Sequence, residues 1–360
     1  MSIDPKTEIN DRRLDDDFKS ITFSGFKKTE VKHQLEENMR RGRVEPACYW
    51  CAELVCAGHF LDIWEIIFHF MAKHIHLGNP SMPIYVEMRY RLFRNIVSQS
   101  VFLTELYTRN HAPIRQLFAE VICNLTLSNR KPSFETVKIK RTEEFDITQM
   151  SERLKAPSIE YAAPILKPKD PPELMIAVNE FCYNIHSSIN SMVTACYWIE
   201  WMLDFDVICN KQKLRTLCVP RLYVDNPKLR TDIVWVIWDA LFYECEQRKD
   251  AVYAIRMKIM RALLSLFSVK YTNATGRKRK YLLYFAVELL TEPMHTNVEI
   301  VTNKDMLATV VGHIDQIYKQ IKKNEQVPNT DYLFDGLERE NNFQNMVAKM
   351  DALEGLESLS

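Results

Sequence analysis

The chain has 360 residues, and its 47 Lys+Arg balance 47 Asp+Glu to a formal net charge of zero. That argues against a globally basic nucleic-acid coat and leaves room only for a local patch. Hydrophobic residues make up 47% and aromatics 11%, enough for a packed interior in a chain long enough to bury roughly 75% of its unfolded surface. Eight glycines fall far below the roughly 7% usual in soluble proteins. Folds that rest on many tight turns, or on glycine loops around phosphates, are therefore disfavoured, and a helical protein is expected.

Residues 1–22 are polar and carry the run Asp15, Asp16, Asp17, which reads as a disordered or loosely attached arm. Thr29 followed by Glu30 resembles an N-cap with an acid in the first turn, and predicts a helix to about Arg41. From Pro46 to Lys73 the chain is almost continuously apolar apart from Gly58, which predicts two buried helices joined at Ala57-Gly58. Further helices are expected near 84–97 and 113–127. Six prolines (132, 157, 164, 168, 171 and 172) then punctuate a charged stretch. It reads as a connector over 129–172, with strand-like alternation near Lys138–Lys140 and one short helix over 147–154. A second helical block follows over 173–324, with segments at 173–187, 192–203, 231–247, 251–267, 280–290 and 305–323. In the tail, 325–360, Phe343, Met346, Val347, Met350 and Leu353 recur at helical spacing. They make a candidate partner-binding stripe, for another subunit or for the body of the same chain.

The cysteines, nine in all, lie mostly within apolar helical stretches, as expected of reduced core thiols in an intracellular protein. The charged N-terminus has no apolar signal segment, and no apolar run reaches the roughly 18 residues that span a bilayer. The expected location is cytoplasmic or nuclear, and no membrane partner is expected.

Ala47-Cys48-Tyr49-Trp50 returns as Ala195-Cys196-Tyr197-Trp198, and each copy leads to an Asn-Pro turn, Asn79-Pro80 and Asn226-Pro227. This predicts two related helical modules, 23–128 and 173–324, by internal duplication. Asn38-Met39-Arg40-Arg41, Pro46 to Trp50, Gly58, and Ile75-His76-Leu77-Gly78-Asn79-Pro80 together resemble the helical collar of clamp-loader-related AAA+ ATPases of the Werner-helicase-interacting type. The likeness covers about residues 31–95 and, more faintly, 180–240. It implies a role in oligomer assembly beside replication proteins. The whole chain, including Ser151 to Pro157, also resembles proteins of large nucleocytoplasmic DNA viruses, which implies a viral origin and, in an infected cell, the virus factory. The ATPase motor itself has no counterpart, because no G-x-x-x-x-G-K-[ST] occurs and no apolar strand ends in Asp-Glu.

Cys48, Cys51, Cys56 and His59 have ligand-like spacing, yet they sit on a helical apolar run without the turn a zinc knuckle needs, so core packing is the expected role. His69, His74 and His76 lack an H-E-x-x-H partner set, and are read as helix C-terminal histidines facing the dipole. Neither a metal nor a cofactor is expected. Two basic clusters, Arg40-Arg41-x-Arg43 and Arg277-Lys278-Arg279-Lys280, are candidate contacts to phosphate in weak, salt-sensitive DNA binding. The second is expected on an interhelical loop. The tryptophans and tyrosines of the two modules are expected to pack helices together.

The expected fold is all-α: two related modules, a proline-rich connector and a tail helix. The expected function is a non-enzymatic assembly subunit, homo- or hetero-oligomeric, of a DNA replication or maintenance complex. The alternative is a minor structural or scaffold protein of a large DNA virus particle.

Overall fold

A computed structural model describes residues 6–99, 105–135, 139, 153–212 and 217–326. Twelve helices run through them: α1 (Lys28–Arg40), α2 (Val44–Cys56), α3 (Phe60–Phe70), α4 (Met82–Gln99), α5 (Ala112–Leu127), α6 (Met175–Ile185), α7 (Met192–Lys211), α8 (Val234–Gln247), α9 (Tyr253–Ser268), α10 (Thr275–Lys278), α11 (Lys280–Thr291) and α12 (Lys304–Lys322). The fold is all-α. Among the described residues no strand forms, and only two isolated bridges occur, Ile21 with Lys27 and His76 with Lys131. The stripe from Phe343 to Leu353, the strand-like pattern at Lys138–Lys140 apart from Ile139, and most of the short helix over 147–154 lie outside the described residues.

The apolar run from Pro46 divides where expected. Gly58 adopts φ +75°, a left-handed conformation that L side chains resist, and its α-carbon sits against Leu106, whose Cδ1 would lie 3.1 Å from an added Cβ. In the second Ala-Cys-Tyr-Trp segment the position eight after Trp198 is Asp206, and α7 continues unbroken to Lys211. One segment therefore folds as a helical hairpin and the other as a single long helix. What the two segments share is local: Tyr49–Trp50 and Tyr197–Trp198 both meet edge to face at 5.2 Å and 82°.

The polar N-terminal segment is packed rather than loose from residue 6 onward. Ile9, Phe18 and Phe23 are buried, and the Arg13 guanidinium sits 4.8 Å from the centroids of both the Phe18 and Phe23 rings. Asn110 donates to the Ile9 carbonyl at 2.7 Å and Arg115 to that of Thr7 at 3.0 Å. Polar composition suggested an arm because these partners lie about a hundred residues away in the chain.

The last described helix also departs from a two-module plan. α12 packs on α2 and α5, burying Ile314, Tyr318 and Ile321. The Arg115 guanidinium lies 4.0 Å over the Tyr318 ring. Beyond α12, the Gln326 carbonyl accepts from the Arg12 N–H at 3.0 Å. A single cluster of buried apolar side chains runs through both halves. It holds two aromatic groups: Phe60 and Trp64 each against Phe93 and Phe118, with centroids 5.5–5.9 Å apart, and Trp235, Trp238 and Phe267, where Phe267 lies 5.9 and 5.5 Å from the two indoles. Each such pair contributes roughly 0.5–1.5 kcal/mol beyond simple burial. α11 is buried along its length from Leu282 to Thr291, as its apolar residues on every face require.

The connector is anchored at its described ends. Glu180 accepts from the backbone N–H groups of Lys155 and Ala156 at 2.9–3.0 Å. Asp170 receives both Nη1 and Nη2 of Arg221 at 2.8 Å. Prolines rule out regular helix there, and side-chain hydrogen bonds replace the helical ladder.

Candidate functional site

Four elements converge on one cleft: α1, α3 with the turn that follows it, α10 and the start of α11. α3 does not end as a regular helix. Residues Met71–Ile75 form a π turn, closed by the His76 N–H donating to the Met71 carbonyl at 2.8 Å. In a regular α-helix His69 and His74, five positions apart, would point about 140° away from each other. The wider π turn brings residues five apart toward one face, a distortion frequent at functional sites. The two imidazole centroids lie 6.2 Å apart.

Both rings meet Glu36, which α1 presents one turn before its C-terminus. Glu36 Oε1 is 3.4 Å from His74 Nε2 and 3.6 Å from His69 Nε2. The hydrogen bond from His74 holds the Glu36 carboxyl below the usual carboxylate range, against the opposing effect of burial. Burial also lowers the pKa of His69, with the negative charge of Glu36 opposing. Expecting three histidines that answer only to the helix dipole overlooked this carboxylate. His76 takes a separate path, stacking on Phe285 at 4.5 Å with Nδ1 3.2 Å from Glu288 Oε2 in the interior.

Next to this cluster lies a cavity of about 240 Å³, lined among others by Lys32, Glu36, Glu65, His69, Arg279 and Tyr281. Glu65, one helical turn before His69 on α3, anchors its wall. It receives the Arg279 guanidinium, with Nε at 3.3 Å, and Lys278 Nζ at 3.4 Å. Arg279 is only 4% exposed. Its Nη1 donates to the carbonyls of Leu266, Phe267 and Val269 at 3.2, 2.6 and 2.7 Å, so it also closes the C-terminus of α9, where a cation complements the helix dipole.

The basic run 277–280 is thus not a loop of free cations. Arg277 and Lys278 end α10, and Lys280 opens α11. Arg277 pairs with Asp204, Lys278 and Arg279 with Glu65, and Lys280 Nζ with Glu200 at 2.9 Å. Glu200 also accepts from the Tyr284 hydroxyl. The acidic partners come from α3 and α7, 73–214 residues away in sequence, which is why the run looks unneutralised when read alone. The other basic cluster stays at the surface. Arg40 and Arg41 are more than half exposed at their side chains and share Glu37, whose pKa their contacts bring down to about 2, that of Arg40 foremost. Arg43 is exposed at the start of α2.

The cysteine constellation is not assembled around a ligand. Cys48, Cys51 and Cys56 are buried on α2, and His59 meets the Ile21 carbonyl at 2.9 Å instead. Burial pushes the Cys48 thiol up to about 12 and raises Cys51 and Cys56 well above the ordinary range, so all three are neutral thiols rather than thiolates. Among the described residues, the grouping of three ligand-type side chains that the fold does bring together is Glu36, His69 and His74. Their 33-residue separation from α1 to α3 left no spacing signal in the sequence. No helix among the described residues is long and apolar enough to cross a membrane. Comparison of the chain with protein-family profiles, with curated proteins and with solved structures returned no match.

Proposed function

We propose that the chain is a non-enzymatic assembly subunit, encoded by a large DNA virus, that binds protein partners of a DNA replication or maintenance complex through its helical faces. The observation that carries this reading is the contrast between the two Ala-Cys-Tyr-Trp segments, taken as copies of one collar-like module. Tyr197 and Trp198 are buried, whereas Tyr49 and Trp50 are only half-buried. Phe26, 41% exposed, packs edge-on against Trp50 at 5.5 Å. An aromatic pair that one copy buries within the chain is left open by the other, on the segment whose resemblance implies oligomer assembly. Aromatic side chains of this kind are the usual anchors of protein interfaces.

In this reading DNA contact, where it occurs, falls first to Arg40, Arg41 and Arg43, which stand at the surface with Arg40 and Arg41 sharing the one carboxylate of Glu37, whereas Arg279 is buried and Arg277, Lys278 and Lys280 each pair with a carboxylate of another helix. The thiols, kept neutral by burial, support a binding role over a cysteine nucleophile. The test is affinity purification of the tagged full chain from cells that naturally express it, beside a Phe26→Ala/Trp50→Ala variant, with copurifying proteins quantified. Recovery of a sliding clamp, clamp-loader subunits or a polymerase, reduced in the variant, is the expected result. Recovery of capsid or packaging proteins without replication factors overturns the reading in favour of a virion component.

A further inference from the structure

We propose that Glu36 Oε1, His69 Nε2 and His74 Nε2 bind one divalent ion of the zinc class, with a fourth position facing the adjoining cavity and occupied by water. The argument is geometric. Bonds of roughly 2.0–2.2 Å from a tetrahedral zinc ion to imidazole nitrogen and carboxylate oxygen set the ligand atoms about 3.3–3.6 Å apart. The observed separations from Glu36 to the two histidines are 3.4 and 3.6 Å, and all three ligand atoms lie within 4.8 Å of one another. An ion at their centre therefore needs no more than side-chain adjustment.

The backbone supports the same arrangement. The π turn aligns the two histidines, and α1 supplies the carboxylate from the opposite side, so the ion links two elements. Two imidazoles and a carboxylate are a donor set suited to zinc-class ions rather than to magnesium or calcium, which take oxygen ligands. Three protein ligands with a position left over match the open type of zinc site rather than the closed, structural four-ligand type. Glu36 and His69 both line the cavity, which gives the fourth position access to solvent. Of the neighbouring cations, Lys32 and Lys28 pair with Asp62 and Lys278 and Arg279 with Glu65, while Lys73 lies 5.2 Å from the Tyr281 ring and is near enough for its charge to act on Glu36 and His69.

The test uses the full chain, stripped with a chelator and titrated with Co²⁺ and then Zn²⁺. The expected result is one equivalent of Co²⁺ per chain with visible d–d bands of a tetrahedral ion and no thiolate charge-transfer band. Zinc should displace the cobalt and raise the thermal unfolding midpoint. Glu36→Gln, His69→Gln and His74→Gln should each weaken affinity by more than about 100-fold, beyond the roughly 10–100-fold that follows loss of an outer-shell partner, with an unchanged helical circular dichroism spectrum. The cobalt spectrum of the unaltered chain is independent of whether any variant folds. Absence of saturable binding, a thiolate band, or binding indifferent to all three substitutions would overturn the proposal. None of these outcomes bears on the partner-binding reading.

Discussion

Arg279 is the side chain whose removal tests most directly whether the basic run is internal framework or nucleic-acid surface. It is buried, it holds Glu65, and it closes α9 through three carbonyls. Replacing it with Met keeps most of the apolar volume and deletes the charge. Glu65, whose side chain is 10% exposed, is then left with Lys278 at 3.4 Å, and the three carbonyls lose their donor. Breaking a buried ion pair from one side costs about 3–5 kcal/mol, and the orphaned carbonyls add to that cost. Lys278→Ala removes a side chain 55% exposed and should cost under about 1 kcal/mol, as surface pairs do. Urea unfolding reads both through the midpoint, provided the slope is unchanged. The double variant Glu65→Gln/Arg279→Met should be more stable than Arg279→Met alone, since the uncompensated carboxylate is gone. If Arg279→Met costs no more than Lys278→Ala, or if the double variant is worse than the sum of its parts, the framework reasoning fails.

Three further outcomes are expected. Burial raises the Asp170 carboxyl, but hydrogen bonds from Arg221, Lys167 N–H and Val219 N–H outweigh it and leave its pKa below the usual 3.8. Its contribution to stability is therefore complete above about pH 4 and lost as pH falls through the folded-state value. Asp170→Asn should cost about 3 kcal/mol at pH 7, and denaturant curves should show the gap to the unaltered chain narrowing at pH 3; a gap independent of pH would refute the assignment. Gly78→Ala places a Cβ 2.5 Å from the backbone of Arg130 and Lys131. It should destabilise by about 1–3 kcal/mol and speed amide exchange of Lys131, whose N–H bonds the Ile75 carbonyl at 3.1 Å; unchanged protection would show that this contact is not tight. Eight of the cysteines are buried and Cys209 is only partly so, so a thiol reagent under native conditions should label Cys209 first, read by peptide mass mapping. Faster labelling of Cys48 or Cys51 would contradict their burial.

Most of the helices were legible because their apolar residues recur at helical spacing over ten or more positions, a signal that needs no knowledge of partners. The hairpin break at Gly58 was legible for a similar reason, since a lone glycine in a long apolar run marks a left-handed turn. The extent of α7 was not. Nothing near Leu203 stops that helix, and its continuation to Lys211 mixes polar residues with Phe205, Val207 and Ile208, a pattern of weak periodicity. The N-terminal segment was misread as loose because its few apolar anchors, Ile9 and Phe18, are isolated among charges. Ile9 is held through Asn110 and Thr7 through Arg115, while Phe18 packs on Phe23 and under Arg13, and composition near the terminus does not reveal these contacts.

The candidate site divides in the same way. Residue chemistry alone marked the histidines, the cysteines and the cations as groups to weigh, and the cysteines' apolar surroundings were enough to place them in the core. Which charges meet was decided by tertiary structure, because an ion pair depends on distance in space and not in sequence. Glu65 meets Arg279 across 214 residues, turning one member of an apparent basic patch into internal framework. Glu36 reaches His69 and His74 only because α1 lies against α3 and a π turn rotates His74 toward it. Helical periodicity is a local property that side-chain chemistry and backbone geometry impose residue by residue. The convergence of ligands and counter-charges follows from how the finished helices pack, and only the assembled core supplies it.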